Sequence, residues 1–346
     1  MTQRQARRAD SSPRRCAAVA AWWLLAIVSG CAGRSESGGQ SSPDSTVTNL
    51  VVVGKTVPRL AIAPDGRRLY AATASNLVVI DTTDLSVLQT LDLDALTAAI
   101  AVAPDGSRVY ITSQASNLLT VYDTAGKQFA TPLPLFEQNA RTLYSHMAHA
   151  PDSQTLYVID KRNRSLGIVD LPSGAHRRVK SSAWPYDVAT SPDGRSVYLV
   201  GCRQQCAAGY LQRFDVASQK LTKELEVLGY PVRLVLSPDG QRAYLVNLEG
   251  PSVLVVDLAE WQPAGAMRLP WKPHEAAISP DGATLYVTSV EGGWVMAVDT
   301  ATGTLRSQLS VPFVRDVVVS PNGRQLYVAM ASKVVALDAR SPSPTP

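Results

Sequence analysis

The tripeptide Pro-Asp/Asn-Gly/Ser recurs at Pro64, Pro104, Pro151, Pro192, Pro238, Pro280 and Pro321, at spacings of 40, 47, 41, 46, 42 and 41 residues. Six residues after each proline stands a tyrosine: Tyr70, Tyr110, Tyr157, Tyr198, Tyr244, Tyr286 and Tyr327. A third marker is an aspartate closing an apolar run, at Asp81, Asp123, Asp170, Asp215, Asp257, Asp299 and Asp338. Self-similarity at such a period dictates architecture, because one unit cannot bury its apolar faces alone.

Each unit holds four short strands. Strand a is the small apolar segment before the proline, and Pro-Asp-Gly is a tight turn in which Pro fixes φ and Gly permits positive φ. Strand b carries the tyrosine, strand c ends at the aspartate, and strand d is the next β-rich stretch. Four antiparallel strands in 40 to 47 residues match one blade of a β-propeller, and seven units predict an all-β, seven-bladed propeller. The last unit stops after strand c, whereas "TNLVVVGKTVP", residues 48–58, precedes the first strand a. The N-terminal strand is therefore expected to complete the seventh blade. The repeated tyrosines and aspartates read as packing and turn residues, since a ligand site does not need seven copies.

The strand b segments "LYVTS" at Leu285 to Ser289, "VYITS" at Val109 to Ser113, "LYVID" at Leu156 to Asp160 and "AYLVN" at Ala243 to Asn247 resemble those of the YVTN-repeat β-propellers. The resemblance extends over residues 48–339 and implies the same fold. It implies no one function, because that family holds surface proteins, binding proteins, and relatives of lactonases and of dehydrogenase heavy chains.

Where the copies disagree, a site is expected. Five residues before each proline stand Arg59, Ala99, His146, Asp187, Arg233, Glu275 and Asp316, six of them ionisable. Two residues later on the same face stand Ala61, Ala101, Ala148, Ala189, Val235, Ala277 and Val318, all small and apolar. Strand a is innermost in a blade, so the polar positions are expected to ring the channel mouth, on the face where the d-to-a and b-to-c loops gather. They form either a ligand surface or a self-paired salt-bridge network that closes the channel. Trp184, Tyr230, Trp271 and Phe313 precede strands a of blades four to seven, either as an aromatic rim for a planar ligand or as apolar caps on the blade junctions. Two insertions, one before His146 and one around Cys202, are expected on the same face.

The two ends carry other signals. Five arginines precede "CAAVAAWWLLAIV", an apolar run of 13 residues, short for a membrane span and suited to an export signal. "VSGC", Val28 to Cys31, resembles a bacterial lipobox, which implies a diacylglycerol on Cys31 and the bilayer as a partner. The divisions are a signal over residues 1–30, a Gly/Ser-rich tether over 31–47, the propeller over 48–339 and a disordered tail over 340–346. Residues 1–30 hold five Arg and one Asp, so the formal charge of +4 falls to zero beyond them, with 28 residues of each sign. That balance argues against nucleic acid as a partner.

Cys202 and Cys206, with three residues between them at a hairpin tip in an exported chain, are expected to form a disulfide. His146 and His149 lie three apart in a strand and so face opposite ways, which speaks against a shared metal. No zincin, nucleophile-elbow, dinucleotide or phosphate-loop motif occurs in the body of the chain, and no cofactor is expected. The leading expectation is a monomeric, lipid-anchored, extracytoplasmic module that binds a small molecule or envelope protein noncatalytically through Arg59, His146, Asp187, Arg233, Glu275, Asp316, Trp184 and Trp271. The alternative is a lactonase-type hydrolase, with His146 or a ring carboxylate as base and Arg59 or Arg233 stabilising an oxyanion.

Overall fold

The computed structural model describes residues 47–54, 59–94, 96–113, 116–136, 144–203 and 208–340. These residues form seven antiparallel sheets, each in the order a, b, c, d. The seven a strands touch in cyclic succession, the last (Val314–Val319) returning to the first (Arg59–Ile62). Closure is as expected: Val47–Val52 pairs antiparallel with Lys333–Asp338 as the outer strand of the seventh blade.

Seven buried apolar clusters hold the ring, each drawing on two adjacent blades. All seven repeat tyrosines are buried, at most 6% exposed. The seven strand-closing aspartates accept backbone N–H bonds from the following turn, as at Asp81 from Thr83, Asp215 from Ser218 and Asp338 from Arg340. Both sets act as architecture.

The Pro-Asp-Gly turns also link blades. Gly66, Gly106, Gly194, Gly240, Gly282 and Gly323 have φ between +67° and +73°, and each lies against the repeat proline of the preceding blade, Gly66 closing on Pro321. Blade three carries Ser153 instead, at φ +60°, and its hydroxyl accepts the Asp105 N–H of blade two at 3.2 Å. Where glycine offers backbone freedom, the serine offsets its strain with an inter-blade hydrogen bond.

The insertions depart from the simplest expectation. In blade four the added length extends the hairpin itself, into eight-residue strands Ser196–Arg203 and Ala208–Asp215. In blade two it breaks the outer strand into Gln128–Phe129 and Leu133–Pro134, both paired with Leu118–Asp123. Leu135 and Phe136 then bury between blades two and three, so part of this insertion serves the core and not the mouth.

Candidate functional site

Five of the a strands carry a register shift just before their ring position, between Thr97 and Ala99, Tyr144 and Met147, Pro185 and Asp187, Pro231 and Arg233, and Val314 and Asp316. A bulge re-aims the side chain beside it. The six ionisable residues converge, four of them beside such a bulge, but they divide into two classes.

Asp187 and Asp316 hold neighbouring blades together. Asp187 Oδ1 accepts the N–H of Val188 and Oδ2 that of Leu234, in the next blade, each at 2.8 Å. Asp316 repeats this with Val317 and with Leu60, which joins blade seven to blade one. Burial pushes both carboxyls up to about 6, Asp187 against the pull of Arg233 and Asp316 with help from Glu275.

The other four form a cluster across the axis. Arg59 Nη1 donates to Glu275 Oε1 at 2.7 Å, and Arg233 Nε donates to Glu275 Oε2. One carboxylate from blade six thus bridges guanidinium groups of blades one and five. Arg233 also lies 3.6 Å from Asp187. The side chains are 4% (Glu275), 15% (Arg233) and 21% (Arg59) exposed, so charge pairing here is little screened. Burial would raise Glu275, but Arg233 and Arg59 outweigh it and hold the carboxyl below its ordinary range. Burial would likewise lower Arg233, but Glu275, Asp187 and Asp316 raise it.

His146 completes the cluster. Its Nδ1 lies 2.6 Å from the Tyr186 carbonyl and its Nε2 3.2 Å from Arg59 Nη2. A carbonyl only accepts and a guanidinium only donates, so the proton sits on Nδ1 and Nε2 offers its lone pair to Arg59. Burial, with Arg233 and Arg59 nearby, holds the imidazole well below 6.5, in accord with this neutral tautomer. His149 points away into the junction of blades two and three, its ring 5.0 Å from that of Tyr110, so the two histidines share no ligand.

Beside His146 lies a group that the ring positions alone do not reveal. The Tyr186 and Tyr230 hydroxyls are 2.6 Å apart, and Lys161 Nζ stands 3.8 Å from the Tyr186 ring centroid. The position four after each repeat tyrosine reads Ala74, Gln114, Lys161, Cys202, Leu248, Val290 and Ala331. Lys161 is the one charge there, so comparing the copies at this position finds it. Cys202 is buried, disulfide-bonded and 3.7 Å from the Tyr186 hydroxyl. Cys206 and the lipidation candidate Cys31 both lie outside the described residues.

The aromatic positions are dispersed. Trp184 lies under the Arg164 guanidinium at 5.1 Å, and Tyr230 belongs to the tyrosine pair. Trp271 stacks on Trp294 at 6.2 Å and 17° and remains 40% exposed, while Phe313 is 71% exposed. Gly292 makes the stack possible, since a Cβ there would come within 2.4 Å of Trp294 and 2.9 Å of Trp271.

No family model and no curated protein matches the chain. Among solved structures, a chain of Kuenenia stuttgartiensis hydrazine synthase superposes with a TM-score of 0.72, covering 87% of this chain and 99% of that one. Identity is 18%. The likeness is one of fold, a seven-bladed β-propeller.

Proposed function

We propose that the protein is a noncatalytic ligand-binding or protein-interaction module of the YVTN-repeat type, held on the extracytoplasmic side of a membrane through a lipid on Cys31. In this reading residues 1–30 are removed as a signal, 31–47 tether the propeller over 48–339, and the channel mouth recognises the ligand. The observation that carries it is the meeting of Arg59, His146, Arg233 and Glu275 from four blades in one charged cluster. Asp187 and Asp316 border the cluster, and Trp184 and Trp271 belong to the proposed ligand surface.

Binding is favoured over hydrolysis because the bases of the ring are engaged. Both Glu275 oxygens accept from arginines, His146 Nε2 faces Arg59, and each aspartate oxygen accepts a backbone N–H. A general base needs a lone pair free to take a proton.

The test is a thermal-shift screen of sugars, carboxylates and phosphates, run on the wild type and on the double variant Arg59→Gln/Glu275→Gln, which removes opposite charges together. A ligand that raises Tm only in the wild type supports the reading. Turnover of a lactone panel, abolished by His146→Ala, would replace it with the hydrolase. Labelling of the cells with radioactive palmitate should mark the wild type and not Cys31→Ala, and equal labelling would remove the anchor.

A further inference from the structure

Lys161 follows strand b of blade three (Thr155–Asp160), at the loop face. Its side chain is half-buried, and among the described residues it makes no hydrogen bond or ion pair, only the contact with the Tyr186 ring. Among the described residues, the carboxylates of Asp160 and of the charged cluster are committed elsewhere. Asp160 is taken by Asn163 and by Arg178 at 3.1 Å, Asp187 by two amides and Arg233, and Glu275 by its two arginines. Arg315, the residue before Asp316, also has a buried Nε with no hydrogen-bond partner among the described residues.

Among the described residues, neither the Lys161 ammonium nor Arg315 Nε has an anionic partner. An ammonium group drawn out of water without a counter-ion is costly, and a cation–π contact returns only part of that cost. Burial accordingly lowers the Lys161 amine to about 8.

We propose that Lys161 is the anion-binding residue of the channel mouth and that the site takes a small ligand bearing an oxyanion, carboxylate or phosphate, beside the Tyr186–Tyr230 hydroxyl pair. The ligand would supply the counter-charge that the protein withholds, with Lys161 over the ring of Tyr186 and the hydroxyl pair at that ring's edge. A polyanion is not favoured: the net charge beyond residue 30 is zero, and the mouth offers a few unpaired cations and no basic stripe. This inference rests on the mouth being a binding surface.

Inorganic phosphate and citrate, titrated by calorimetry into the full-length processed protein, distinguish the two sources of the oxyanion. At least one should bind saturably, with Lys161→Met weakening it about tenfold or more and Lys161→Arg largely restoring it. The Lys161 Cε resonance of 13C-lysine-labelled protein should report an amine pKa that rises on binding, a change that a merely packed lysine would not show. Binding of neither anion, or equal binding by a folded Lys161→Met variant, overturns the proposal. If another ligand then still depends on Arg59 and Glu275, the mouth remains a binding surface and only the oxyanion assignment fails.

Discussion

The carboxylate of Asp316, in the last blade, accepts the backbone N–H of Leu60, in the first, at 2.8 Å. This bond spans the seam of the ring, inside the outer seam where Val47–Val52 pairs with Lys333–Asp338. The chain is thus closed by a main-chain ladder at its rim and by a side-chain staple at its axis.

Asp316→Ala should strip partners from two buried amides, those of Leu60 and Val317, at about 1–3 kcal/mol each. Asp316→Asn keeps one acceptor oxygen and should fall between Ala and the wild type. Urea unfolding of the three proteins gives the order, and an alanine variant as stable as the wild type would deny the staple its role.

Glu275→Gln removes the one carboxylate that holds both Arg59 and Arg233. Leaving buried charge unpaired costs about 3–5 kcal/mol. Adding Arg59→Gln should recover part of that loss, so a double-mutant cycle is expected to show strong coupling; simple additivity of the two changes would contradict the bridge.

His149 is buried and, among the described residues, neither ring nitrogen has a hydrogen-bond partner, and burial lowers it from 6.5 to about 4. The unfolded chain takes up a proton below pH 6.5 while the folded chain does so only near 4. The neutral ring's contribution is therefore whole above pH 6.5 and is lost as the pH falls to 4, in total about 3 kcal/mol. The stability difference between wild type and His149→Phe should vary with pH in that window and be flat above it. Asp187 and Asp316 titrate in both proteins and cancel.

Reduction of the Cys202 disulfide should cost roughly 2 kcal/mol if it closes the short loop to Cys206. Peptide mapping without reductant checks the partner. Fluorescence of the neighbouring Tyr186–Tyr230 pair should change on reduction, since the Tyr186 hydroxyl lies 3.7 Å from the Cys202 sulfur.

The scaffold was legible because period is a local property: Pro64 and Tyr70 announce a blade whatever their neighbours do. Convergence of the ring was legible too, from counting back to Arg59 and Glu275. Their division into staples and bridges was not. Asp187 and Glu275 differ by one methylene, yet the shorter side chain accepts from the amides of its own and the next blade, while the longer one takes up arginines of blades five and one. That choice depends on the diameter of the closed ring and on whether a bulge accompanies the ring position, as it does at Asp187 and not at Glu275, neither of which is encoded near the residue. Tyr186 escaped notice for the same reason, because the bulge between Pro185 and Asp187 sets its direction.

The strand that completes the seventh blade, Val47–Val52, runs upward from the Pro-Asp-Gly face towards the loop face. Whatever lies N-terminal to Val47 is consequently joined at the underside of the disc, a full strand length from Arg59 and Lys161. Under the proposed tether, attachment and recognition fall to opposite faces of the propeller.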